Sequence, residues 1–223
     1  MALVHMVAKG KRQSILFIDG DAVGPVQNTD MCFLSVQESD DISSNKLTEI
    51  LQDYVLPAGR KKALDLLLAE DRTEIELKRR LIQAGYGESI VASIMEYVKQ
   101  YPYLNDVRYA LNYMRSVGTK KSLLEIRHKL TEKGVSDEDF EKALGQYREE
   151  RQESMEGSSG ELCEEDIEYE AVLTILHKKV APGTPLTRAQ KEKLYASLLR
   201  KGFGYHIVRK ALKEYSTVDE DMK

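Results

Sequence analysis

Three stretches of the chain repeat one arrangement of apolar and polar positions around a glycine: residues 76–95, 125–144 and 193–212. Aligned on Gly85, Gly134 and Gly202, they agree at five apolar positions. Leu77, Ile126 and Leu194 precede the glycine by eight, and Leu81, Leu130 and Leu198 by four. Tyr86, Val135 and Phe203 follow it directly; Val91, Phe140 and Val208 stand six after it, and Met95, Leu144 and Leu212 ten after it. Apolar residues four apart share one face of a helix. Each unit therefore reads as an amphipathic helix, a left-handed glycine stop and a second amphipathic helix. The apolar residue after the glycine is placed to fold back on the helix it leaves. Three registers in agreement mark an internal repeat.

A further helix precedes each pair. Residues 60–71 supply it in repeat one, residues 106–118 in repeat two, with Ala110, Tyr113 and Met114 on the buried stripe, and residues 167–180 in repeat three, stopped by Pro182 and Gly183. Thr73 with Glu76, and Ser122 with Glu125, form capping boxes at the same offset from their glycines. In repeat three the cap moves about one turn earlier, to Thr187 with Gln190, so its anchored helix is expected to be longer. The anchor glycines are 49 and then 68 residues apart, the excess matching an acidic Gly/Ser-containing insertion. Residues 1–57 differ: residues 14–19 and 31–36 read as short strands, Asp19-Gly20-Asp21 as a turn, and residues 44–56 as a helix closed by Pro57. The expected fold is mainly α: three tandem three-helix repeats in an elongated array, behind a small strand-containing N-terminal element. The expected segments are 1–57 (N-terminal element), 58–104 and 105–150 (repeats one and two), 151–166 (acidic linker), 167–216 (repeat three) and 217–223 (acidic tail).

Charge changes this picture in one place. The net charge of −4 hides an asymmetry. Residues 149–170 hold ten acids and one base, and residues 171–215 hold ten bases and two acids. The first run reads as a solvated linker or the frayed edges of two helices, the second as a basic module suited to a polyanion or an acidic protein partner. No apolar run is long enough to span a bilayer, and the opening residues, interrupted by His5 and Lys9, do not read as a secretory leader. Two lone cysteines, Cys32 and Cys163, make neither a disulfide framework nor a zinc motif. A reducing cytoplasm is the expected compartment.

The run from Leu104 through "NDVRYALNYMRS", followed by "EIRHKLTEKGV", resembles the RecX family, regulators of the RecA recombinase. So does the upstream "ALDLLLAEDRTEIELKRRLIQAGY". Arg72, Thr73, Glu76 and Leu77 lie close to that family's first-repeat run. Leu104, Asn105, Asp106, Tyr109 and Ala110 match the opening of its second repeat, and Glu125 to Gly134 loosely match a Glu-Leu-x-x-Lys-Gly run. The likeness spans about residues 58–215, most specific in the first two repeats. It implies an array of three-helix repeats that binds the RecA filament along its groove. It further implies inhibition of ATPase, strand exchange and co-protease functions in DNA repair and the SOS response, by a monomer without a catalytic centre or cofactor.

The residues themselves offer no catalytic set. His5, His128, His177 and His206 share no metal-ligand spacing, and no phosphate-binding glycine loop is present. The repeated signal is basic. Lys78, Arg79 and Arg80 recur as Arg127, His128 and Lys129 at the same offsets, while repeat three carries Arg200, Lys201, Arg209 and Lys210 instead. With Arg108, Arg115, Lys120 and Lys121 these form the candidate partner-binding set for a RecA filament, or for single- or double-stranded DNA in the rival reading of a helical DNA-binding protein. The plain alternative is that helix exteriors are ordinarily charged. Tyr97, Tyr101, Tyr103, Tyr109 and Tyr113 could stack on bases, but packing between repeats is the favoured role.

Overall fold

The structure, a computed structural model, describes residues 1–154, 162–180 and 186–217. It is mostly helical with a small antiparallel sheet, and divides into two compact units, Met1–Asn105 and Asp106–Lys223.

The first unit opens with strands β1 (Ala2–Ala8), β2 (Gln13–Ile18) and β3 (Asp21–Gln27). The two-residue β4 (Asp41–Ile42) completes an antiparallel sheet of order β3-β2-β1-β4. Asp19 and Gly20, both at positive φ (51° and 90°), make the tight β2–β3 hairpin, the geometry that matches strand twist. A bulge at Leu16/Phe17 shifts the register beyond the turn.

Two expectations for this region fail. Residues 31–36 are not a strand: α1 (Asn28–Phe33) occupies the first three, and a turn follows. Met31, Leu34 and Val36 are buried while Phe33 is 82% exposed, so the short apolar run follows a helical turn and its exit rather than strand alternation. The partners of β2 are instead β1 and β3. Nor does Pro57 close a helix. α2 (Ser44–Glu49) passes through a π-helical stretch (Ile50–Val55) straight into α3 (Leu56–Ala69). The wider π turn changes the hydrogen-bond register just ahead of Pro57, where the proline lacks an N–H and its ring would crowd an α-helical carbonyl.

Repeat one continues with α4 (Glu74–Ala84) and α5 (Glu88–Lys99). The second unit holds α6 (Asp106–Val117), α7 (Leu123–Glu132) and α8 (Asp137–Glu153), then α9 (Glu164–Lys179), α10 (Arg188–Arg200) and α11 (Tyr205–Thr217). All three anchor glycines are left-handed, with φ of 101°, 92° and 85°. After each, the next residue's N–H bonds the carbonyl five back: Tyr86 to Leu81, Val135 to Leu130, Phe203 to Leu198. Of the fifteen register positions all are buried except Leu194, which is partly exposed. Thr73–Glu76 and Thr187–Gln190 form the expected capping boxes. Ser122 caps α7, but Glu125 accepts from Lys121 (2.6 Å) rather than closing the box. α10 has 13 residues against 11 and 10 in its counterparts.

α8 extends through Glu153 and α9 begins at Glu164, where Asp166 accepts from the Cys163 backbone N–H (3.0 Å). Many acids of the expected linker thus sit on helices; its central residues 155–161, the stops Pro182 and Gly183, and the tail residues 218–223 lie outside the described residues.

Candidate partner-binding surface

Each candidate cation can be placed by what its side chain meets. On α4, Lys78 pairs with Glu74 (2.7 Å), which Lys99 of α5 also reaches (2.9 Å). Partial burial opposes ionisation of Glu74, but the two ammonium groups outweigh it and hold its pKa below the usual carboxylate range. Arg79 and Arg80, one and two residues on, are exposed and pair with no acid among the described residues.

Repeat two differs at the same offsets. Arg127 donates to Asp137 (3.1 Å) and to Glu141, and its guanidinium lies 4.2 Å above the Phe140 ring. Lys129 and His128 both meet Glu132, at 2.7 and 3.4 Å. On α6, Arg115 forks onto both oxygens of Glu150 and also reaches Asn112. Lys121 is held by Glu125. Arg127 and Arg115 therefore clip helices of their own repeat together. Arg108 is exposed but engaged in a contact, and Lys120 is exposed in the α6–α7 turn without an acidic partner among the described residues. In repeat three, Arg200 donates to the Ala196 carbonyl (3.3 Å), and Lys210 lies 4.8 Å from the Tyr169 ring centre. Lys201 and Arg209 are exposed. The triplets are alike in sequence offset but not in availability.

The acids of residues 149–170 have similar employment. Glu164 approaches Arg148 (3.8 Å), Glu165 meets His206 (3.1 Å) and Glu170 pairs with Arg151. Half-buried Glu168 accepts the backbone N–H of Leu123 (3.1 Å), at the start of α7, and of Gly204 (3.5 Å), just before α11. Burial pushes its pKa up, against the two N–H groups that favour the ionised form. Beside it, the buried Ser122 hydroxyl donates to the Lys201 carbonyl (2.6 Å). These contacts join repeats two and three.

The tyrosines separate. Tyr97, Tyr101 and Tyr103 form a run of rings at the end of α5, with centres 5.2 and 5.9 Å apart and Arg60 4.5 Å above Tyr97. Tyr109 and Tyr113 pack against the repeat-two core. No group of acids, histidines and cysteines among the described residues could hold a metal ion, and no described helix is long and apolar enough to cross a membrane.

Similarity to known proteins follows this architecture along nearly its whole length. The family model of the third three-helix domain of RecX matches residues 166–212, which is α9 to α11. The regulatory protein RecX of Clostridium botulinum (strain Eklund 17B / Type B) is 24% identical over 212 residues, covering 92% of this chain and 91% of that protein. That of Streptococcus sanguinis (strain SK36) is 26% identical, covering 99% of this chain and 79% of its own. The chain is thus similar along nearly its whole length to proteins of the RecX family. A crystal structure of regulatory protein RecX shares its fold, with TM-score 0.55 and 19% identity over 95% of this chain and 98% of that one. RecX from Lactobacillus salivarius gives 0.56 and 24%, over 72% and 96%.

The RecX family model falls on the repeat whose cap and spacing depart most from the other two. Its glycine, its fold-back Phe203 and its buried Val208 and Leu212 hold the register despite that departure. Sequence reasoning missed Lys179 and Lys193, which the RecX fold brings beside Arg200 along one cleft. They sit on different helices, and their one advance signal was the basic bias of the third repeat.

Proposed function

We propose that this protein is a non-catalytic regulator that binds a RecA-type recombinase filament and lowers its ATPase, strand-exchange and co-protease activities. The observation that carries the reading is likeness along nine-tenths of the chain to proteins named regulatory protein RecX. The repeat architecture supports it, since each three-helix unit offers a similar surface to a repeating partner. The mechanism is occupancy: helical repeats seated on neighbouring protomers hinder the movements coupled to ATP turnover. Arg79, Arg80, Lys120, Lys201 and Arg209 are the preferred contacts, because the other candidates are largely engaged within their own repeats. The protein acts in the cytoplasm, in recombinational repair and the SOS response.

The test is recombinase ATPase on single-stranded DNA with and without the protein. Inhibition is expected at protein levels well below those of the recombinase. An unchanged rate at equimolar protein overturns the reading. Tight binding to naked DNA with a steep salt dependence, and no effect on a preformed filament, would instead favour a direct DNA-binding protein.

A further inference from the structure

Repeat three departs from the other two at one buried position. Leu77 and Ile126 are fully buried, eight residues before their glycines, but Leu194 is partly exposed. In this repeat α9 and α10 each pack mainly on α11, and less on each other. A cleft of about 610 Å3 opens between the end of α9 and the length of α10. Val180, Leu186 and Leu194 give it an apolar floor, and Lys179, Lys193 and Arg200 stand around it. Gln190 and Ser197 complete the described lining, which carries three cations and no acid.

The spacing along α10 is informative. Residues 190, 193, 194, 197 and 200 recur every three or four positions, so one stripe of this helix faces the cleft. Thirteen helical residues run about 20 Å, enough to lie against a partner helix of about four turns. A leucine floor under a cationic rim selects against two alternatives. A nucleic-acid backbone would satisfy the cations but gain nothing from the leucines. A neutral apolar segment would leave Lys179, Lys193 and Arg200 without counter-charges.

We infer that this cleft seats an acidic helical segment of the protein partner, with apolar side chains on the face that meets Leu186 and Leu194. The inference rests on the regulatory reading above and adds to it the chemistry of the contact. The apolar floor supplies affinity and the three cations set orientation and salt dependence.

The probe is a fluorescent peptide of about 15 residues, with leucines every three or four positions and glutamates between them, titrated with the full chain at low salt. Saturable binding is expected, weakened at least about tenfold when Lys179, Lys193 and Arg200 are all changed to Gln, and similarly when the peptide leucines become Gln. These lysines and Arg200 are exposed, so the variant's melting curve is expected to match wild type. The same variant is expected to inhibit the recombinase ATPase at least about tenfold more weakly. No binding by wild type, or equal binding by the Gln variant, overturns the inference whatever the ATPase shows. Loss of peptide binding with full inhibition also overturns it, while the regulatory reading stands. If wild type fails to inhibit but binds the peptide in the expected pattern, the regulatory reading falls and the acidic-helix seat stands. Displacement of the peptide by a single-stranded oligonucleotide at matched charge gives the cleft to nucleic acid. Peptide affinity that rises severalfold when Asp219, Glu220 and Asp221 are neutralised gives it to the chain's own acidic end. Either result refutes a partner helix.

Discussion

Gly87→Ala separates local from tertiary reasoning by the sign of its effect. Gly87 precedes α5 with φ −70° and ψ 157°, a conformation open to any residue. On backbone entropy alone, alanine there would stabilise by about 0.4–1 kcal/mol. The structure predicts the reverse. A Cβ at Gly87 would lie 1.8 Å from the Ala22 carbonyl oxygen and 2.9 Å from its carbon. That neighbour is strand backbone, not a side chain that can rotate away. Relief requires the β2–β3 hairpin and the α4–α5 loop to part by about 1.5 Å to reach ordinary contact. Parting them breaks the Gly87 N–H bond to the Val23 carbonyl (3.2 Å), a loss of about 1 kcal/mol. It also loosens the packing of buried Tyr86 and Val23, and overfilling of this kind costs about 1–3 kcal/mol. After the entropic gain is set against these, a net destabilisation of about 1–3 kcal/mol is expected. Urea unfolding followed by circular dichroism reads it as a lower midpoint with an unchanged slope. A midpoint equal to or above that of wild type would refute the argument and show that the hairpin does not press on this loop.

Four further outcomes follow from individual residues. Gly134→Val forces a β-branched residue to a φ of 92° and is expected to cost about 1–2 kcal/mol, read as a lower melting temperature; an unchanged melt would require a different backbone at that turn. Arg127→Ala removes the links to Asp137, Glu141 and Phe140 and is expected to lower stability by about 0.5–1.5 kcal/mol while leaving recombinase inhibition intact. Arg79→Ala with Arg80→Ala should do the opposite, weakening inhibition several-fold without moving the melt, and identical behaviour of the two variants would dissolve the distinction between clip and contact. For Glu168, the folded-state pKa is raised above the unfolded value, so the folded protein holds its proton more tightly. Stability is then fully present below the ordinary carboxylate pKa and falls as pH rises through the raised one. Glu168→Gln should flatten that window, and a stability difference from wild type that is constant across mildly acidic pH would rule the group out.

What was legible in the sequence was whatever a few neighbouring residues decide. Helix periodicity, the caps at Thr73, Ser122 and Thr187, and the left-handed turns at Gly85, Gly134 and Gly202 are set within about one or two helical turns. They therefore repeat visibly, and fourteen of the fifteen aligned apolar positions are buried as their spacing implies. Residues 31–36 misled because a short apolar run is compatible with either period. Whether it becomes strand or helix depends on the partner available to it, and β2 pairs with β1 and β3 instead. The continuation of the helix through Pro57 hangs on a π stretch that the propensity of single residues does not announce. For the candidate surface, sequence offset placed cations on equivalent faces but left their neighbours unspecified. Arg127 and Arg80 belonged to one candidate set until the fold placed Asp137 and Glu141 against the first and solvent against the second. Glu168 stood in an acidic run, and only the packing of repeats two and three aimed it at the N–H groups of Leu123 and Gly204. Electrostatic partners and close backbone approaches join residues tens of positions apart, so their choice belongs to the tertiary structure, whereas periodicity and caps belong to the chain itself.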